Sequence, residues 1–407
     1  MKWLKKRWFR QLLKAVGMLL VVCLLVRWVR YDISSIAYFA PMEKAADFTV
    51  EDFYQLVAEG RSVKQLCQEV VVVDIDTCKR TQIAEIIEAV EYCEPAAVGL
   101  DIFFDYPSVN DEPLLQAIRS CQHIVLPVQV EYEAATDSYT HISGSFFYNQ
   151  LNRPLIGAVN LAGSSQLSIV RQIRPYFTQG HDTLPHLVSA MLAEAHPEVW
   201  QRIRQRGGNQ LIPINYAAYE FHILKPHEVL ASAELLKGKM VLIGSVDDPI
   251  DRHLTPTRSE MPGLLIHAHS LSTLLHDVAI RQAPAWINWL LGLALCLLML
   301  QIKLATTNLS IEGVLMRIIQ LILLYLIVMG GYQLFVRYNY SLDLSFALLM
   351  VGLGFVAADL WESGSWIYEK VAQGVKCLRA RQKKIIQTQS YQEHETTDST
   401  HLSNNQP

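Results

Sequence analysis

Nowhere in the 407 residues is there a Gly-rich phosphate loop, a kinase signature or a nucleotide-cyclase motif, which argues against nucleotide-driven chemistry in this chain. A basic excess is missing as well. The formal net charge is −4, and residues 31–283 carry 31 acidic against 18 basic side chains. Such a balance disfavours nucleic acid or any large polyanion as a partner. Acidic residues, in turn, are absent from the first 30 positions, which hold eight Lys and Arg. The apolar run at 15–26 is not followed by a small-x-small cleavage site, and Val22 stands where a lipoprotein box needs a small residue. An uncleaved signal anchor with a cytoplasmic N-terminus is therefore expected.

What the sequence has in quantity is apolar surface. Hydrophobic residues make up 51% of the chain, high for a soluble protein. Besides the anchor in 1–31, apolar segments at 286–304, 318–336 and 342–361 each approach the roughly 20 residues that cross a bilayer. Trp286 and Trp289 stand at an interface position. Lys303, Arg317, Lys370, Lys376 and Arg379 collect on what would be the cytoplasmic side. The expected layout is a multi-pass protein of the cytoplasmic (inner) membrane with both termini inside. Residues 32–283 form the extracytoplasmic, periplasmic domain, 284–361 three transmembrane helices, and 362–407 a short cytoplasmic tail. That tail is too short for an enzymatic output domain, and from Thr388 onward its Gln/Ser/Thr/Asn composition predicts disorder.

Within 32–283, continuous apolar runs alternate with helical spacing. Strands are expected at 69–76, 96–104, 123–130, 157–162 and 240–244, with paired short strands at 214–224. Helices are expected at 81–93, from Pro113, at 184–195 and at 264–275, while 131–153 reads as a polar, aromatic excursion. Strands without polar alternation are buried on both faces, so the fold class is α/β: a mostly parallel sheet with helices on both faces, plus four transmembrane α-helices.

Carboxylates gather where such strands end. Asp74 and Asp76 close the first strand, Asp101 and Asp105 the second, and Asp247, Asp248 and Asp251 follow the last, with His267 and His269 on the helix beyond. Ligands of open parallel sheets bind outside the carboxyl ends of the strands. Asp74, Asp76, Asp101, Asp105, Asp251 and His267 are therefore the candidate ligand-binding residues, and Asp74, Asp101 and Asp251 could hold a divalent cation. The structural alternative is that these aspartates cap helices and satisfy backbone amides. Of seven cysteines, Cys67, Cys78, Cys93 and Cys121 lie in the middle domain. Cys67, Cys93 and Cys121 each precede a strand and so share one end of the sheet, with Cys93–Cys121 the first choice for any disulfide there; the alternative is that all four are small buried apolar residues.

The stretch from Leu236 onward, L-K-G-K-M-V-L-I-G, then T-P, then M-P-G-L-L-I-H-A-H-S-L, resembles the closing signature of the type-two CHASE domains. V-V-V-D-I-D at 71–76, A-V-G-L-D-I-F-F-D at 97–105, D-E-P-L-L-Q-A-I at 111–118 and I-V-L-P at 124–127 agree in order. So does the pattern of one membrane helix before and three after. The resemblance implies a bacterial extracytoplasmic sensor domain. The expected protein is a membrane-bound receptor subunit without enzymatic output, which binds an unknown ligand outside and signals through a separate cytoplasmic or membrane effector; a homodimer is compatible with this. A second resemblance competes. V-V-V-D-I-D-T-C is similar to the first motif of haloacid-dehalogenase phosphatases, in which Asp74 would be nucleophile and Asp76 general acid, although Ser245 stands where that family's last acidic residue belongs. A membrane scaffold without any ligand is the third reading.

Overall fold

The computed structural model describes residues 2–28, 49–61, 64–75, 77–109, 111–133, 138–162, 168–180, 182–206, 210–306, 312–342, 344 and 347–354, with single positions from there to 375. The chain divides into two compact units. One comprises Met1–Ile33, Trp286–Ile327 and Phe346–Pro407; the other comprises Ser34–Ala285 and Val328–Ser345.

The larger unit is an α/β domain. Its elements run α2 (Val50–Arg61), β1 (Gln65–Asp74), α3 (Arg80–Tyr92), β2 (Ala97–Asp101), α4 (Asp111–Ser120), β3 (Ile124–Glu133), β4 (Ser138–Gly144), β5 (Leu155–Ala158), α5 (Leu187–Ala195), α6 (Pro197–Gln205), β6 (Tyr219–Leu224), β7 (Met240–Gly244) and α7 (Gly263–Leu275), following α1 (Lys2–Trp28) of the other unit. The strands form a seven-stranded sheet in the order β6-β1-β7-β2-β3-β4, with β5 also on β3. All its pairings are parallel except β3 with β4.

Successive residues of a strand face opposite sides, and β1 shows it. Val71 and Val73 join Val98, Leu100 and Ile243 under α3 and α4, which bury Ile83, Ile87, Val90, Leu114 and Ile118 there. Val70 and Val72 join Ala97 and Leu242 under α5 and α7. β7 is buried along its whole length. Burying one such aliphatic side chain contributes roughly 1.5–3 kcal/mol, so the sheet's centre is its most stable part. In the register of β7, Gly244 lies beside Asp74 on one side and beside Asp101 on the other.

The parallel sheet with helices on both faces is as expected; β4 is the departure. The stretch read as an excursion contains an antiparallel partner for β3. Five of its seven residues are exposed, so S-Y-T-H-I-S-G has no apolar face to betray it.

In the smaller unit, α1 and α8 (Ala285–Thr306) join the segment at 347–357 around Ala15, Met18, Val22, Cys296, Leu300, Met350 and Ala357. α9 (Glu312–Tyr338) is the next helix. Of the four expected spans, two are found among the described residues: Ala285–Thr306 and Gly313–Tyr338 are long and apolar enough to cross a membrane. α1 is a helix, but its apolar part is Gln11–Leu24, short of a full span because the first turns are basic. The last expected span lies partly outside the described residues.

Candidate functional site

A cavity of about 910 Å³ opens at the carboxyl end of the sheet. Asp101 from β2, Gln129 from β3, Asn160 after β5, residues 247–251 and His253 of the loop after β7, and Gly263 and His267 of α7 line it. Its position follows from topology, because crossover connections carry every parallel strand's end to the same edge.

Gly263 begins α7, and its N–H donates to the Asp251 carbonyl at 3.2 Å. A Cβ at Gly263 would stand 2.3 Å from Asp251 Oδ2, so only glycine admits this approach. The Asp251 carboxylate thus rests at a helix N-terminus, where the partial positive charge favours an anion. His253 Nε2 lies 2.8 Å from Asp251 Oδ1. Burial pulls the Asp251 carboxyl upward, but the His253 hydrogen bond and charge, the His267 charge and the Gly263 amide together hold it below the usual value.

Across the cavity the balance reverses. His267 Nε2 stands 3.7 Å from Asp101 Oδ2. Burial nevertheless raises the Asp101 carboxyl above its ordinary value, with Asp251 adding to the rise and His267 opposing it. Two carboxylates in one cavity thus differ in proton affinity, as at sites built for two roles. His186 lies behind, its ring centroid 5.1 Å from that of His267. Burial, then His267, keeps His186 well below the usual imidazole value and therefore neutral. His186 Nδ1 accepts from the Val188 N–H at 3.4 Å, and among the described residues His267 Nδ1 is buried without a hydrogen-bond partner.

Of the residues expected from sequence, Asp101, Asp251 and His267 come together here. Asp74 does not join them. It is 2% exposed, its Oδ2 2.7 Å from Lys225 Nζ and its Oδ1 accepting from Val246 N–H at 3.1 Å. The cation triad of Asp74, Asp101 and Asp251 is therefore not assembled; Asp74 is a bonded structural carboxylate that ties β1 to the ends of β6 and β7. Asp105 is exposed and does not line the cavity, and Asp76 lies outside the described residues. The expected Cys93–Cys121 bridge is also not formed. Both thiols are free and buried; Cys93 donates to the Ala89 carbonyl at 3.1 Å and Cys121 to Glu91 Oε2 at 3.1 Å.

Sequence reasoning passed over His253, His186, Asn160 and Lys225. His253 carried a weak signal, two residues from Asp251 in the same loop. Lys225 carried none, since it meets Asp74 across 151 residues.

The larger unit is thus a largely parallel α/β domain with an acid- and histidine-lined cavity at the carboxyl edge of its sheet. The family model of the CHASE2 domain matches residues 18–302. The chain belongs to the CHASE2 family, a family of sensor domains. The match begins inside α1 and ends inside α8. No curated protein and no solved structure gives a significant match.

Proposed function

We propose that this protein is a membrane-bound sensor that binds a small ligand at the carboxyl edge of its sheet, outside the cytoplasm, and signals through a separate effector. The cavity carries the reading. Asp101, Asp247, Asp248 and Asp251 line it, and among the described residues neither Lys nor Arg does, so a small ligand bearing positive charge or several hydrogen-bond donors is favoured. The basic first 30 residues and the acidic 31–283 support the outward placement of the domain.

A route for the signal is built into the same unit. The ligand would touch the first turns of α7, which is buried from Gly263 to Leu274. Near its other end, Thr273 Oγ1 accepts from Asn215 N–H at 3.1 Å. Asn215 Nδ2 donates to the Val278 carbonyl and to Asn339 Oδ1, each at 3.2 Å. Asn339 directly follows α9, the second span-length helix. A tightly packed helix moves as a body rather than deforming, so displacement of α7 reaches that helix through Asn215.

The test is a melting screen of the full-length protein in detergent against small amines, basic amino acids, Ca²⁺ and Mg²⁺. A ligand at a hundredfold excess over its Kd stabilises by about 2.7 kcal/mol, several degrees for a domain of this size. Asp251→Asn and Asp101→Asn should remove the shift while melting cooperatively. A shift that survives both substitutions contradicts the assignment.

The phosphatase reading has one observation in its favour, the Lys225 ammonium on Asp74. Against it, both Asp74 oxygens are held and the side chain is buried, so no oxygen is presented for attack on phosphorus. The same preparation should not hydrolyse aryl phosphates with Mg²⁺; activity abolished by Asp74→Asn would reverse the ranking.

A further inference from the structure

At the opposite end of β1 three side chains converge that play no part in the cavity. Cys67 Sγ lies 3.7 Å from Glu69 Oε2 and 3.8 Å from His276 Nε2, and the carboxylate and imidazole are 3.3 Å apart. Among the described residues, no other three such groups bring their ligand atoms within 4.8 Å of one another.

We propose that Cys67, Glu69 and His276 form a metal-binding site, with Zn²⁺ the best-matched ion and its fourth position open to solvent. The spacing carries the inference. A zinc ion takes sulfur at about 2.3 Å and nitrogen or oxygen at about 2.0–2.2 Å in tetrahedral array. Those bonds place sulfur about 3.5 Å from each of the other ligands, and nitrogen about 3.4 Å from oxygen. The three observed separations lie within a few tenths of an ångström of these values, so an ion enters with little movement. The donor set narrows the choice further. Thiolate with imidazole and carboxylate suits a borderline-soft first-row ion, whereas Ca²⁺ and Mg²⁺ demand oxygen ligands. As the metal–sulfur bond forms, the Cys67 thiol gives its proton to solvent.

The local structure presents the ligands. β1 loses regular register with β6 between Leu66 and Val71, and Cys67 and Glu69, two apart, turn to one side there. His276 caps the C-terminus of α7, its N–H on the Ser272 carbonyl at 3.1 Å. The Tyr219 ring, with its centroid 4.8 Å from that of His276, backs the imidazole. Cys67 is 1% exposed, while the Glu69 and His276 side chains are 43% and 25% exposed. The site is thus anchored on a buried sulfur and reachable from water. The ion would join positions 209 residues apart, tying the first strand of the sheet to the end of α7, the helix whose other end lines the cavity.

The test uses the untagged full-length chain in detergent, reduced, stripped with chelator and titrated with Co²⁺ and then Zn²⁺. One Co²⁺ per chain should bind with sulfur-to-metal absorption in the near ultraviolet, and Zn²⁺ should displace it. Cys67→Ser should abolish that absorption, and His276→Gln should weaken binding at least tenfold, since even supporting residues of metal sites act on that scale. Should Cys67→Ser fail to fold, Glu69→Gln, on a half-exposed side chain, serves in its place and should weaken binding equally. Absence of binding, binding without sulfur absorption, or absorption unchanged by these substitutions overturns the proposal. Cavity substitutions such as Asp251→Asn should leave Co²⁺ binding intact, so this test and the ligand screen fail or succeed separately.

Discussion

His186, His267 and His269 are 0%, 2% and 5% exposed, an unusual burial for three ionisable side chains. Burial, then the charge of His267, holds His186 well below the ordinary imidazole value. Burial, with Lys64 and Arg258 adding to it, pushes His269 down to about 3. A folded-state value below the unfolded one means that the unfolded chain takes up a proton first as pH falls. Stability is therefore intact above about 6.5 and is lost below it, at up to roughly 1.4 kcal/mol per pH unit for each of His186 and His269. Asp101 works the other way, since its raised carboxyl is protonated in the folded protein before the unfolded chain. The melting temperature should fall between pH 7 and pH 5, and His269→Gln should flatten that fall. A melt indifferent to pH, or a variant with the parent slope, would contradict the burial account. At this scale the sequence was partly legible. Asp101, Asp251 and His267 could be placed because strand ends and helix starts of a parallel sheet share one edge. Asp74 occupies an equivalent register position but meets Lys225, a partner that no local pattern could reveal.

Among the elements, legibility followed burial. β1, β2, β3 and β7 are continuous apolar runs because helices cover both of their faces, and such runs can be read directly. β4 is largely exposed and polar and could not be. α7 is read as a helix from its spacing, yet its meaning is tertiary: it links the cavity to Asn215 and so to the end of α9. Asn215 is 4% exposed and donates three hydrogen bonds, to Thr273, Val278 and Asn339. Asn215→Ala keeps the backbone bond to Thr273 but removes the two side-chain bonds to the partly buried Val278 and Asn339 acceptors, at up to about 1–3 kcal/mol each where water cannot enter. Amide exchange should accelerate around 278–282 and 336–341 while staying slow in β2 and β7. Unchanged exchange at 336–341 would sever the proposed route from sensor to membrane helix.

For the molecule as a whole, the α/β sensor-type domain and its family were legible because five separated motifs stand in the expected order. The membrane count was less so. Hydropathy marks α8 and α9 clearly, whereas the apolar part of α1 is brief beside its basic turns. Everything proposed about ligand, route and effector requires the domain to lie across the membrane from the tail. Reporter fusions at Asp182, in the α/β domain, and at Gln389, in the tail, decide this directly. The Asp182 fusion should be active only as an extracytoplasmic reporter and the Gln389 fusion only as a cytoplasmic one. If both report the cytoplasm, the protein cannot sense ligands outside it, and the account fails.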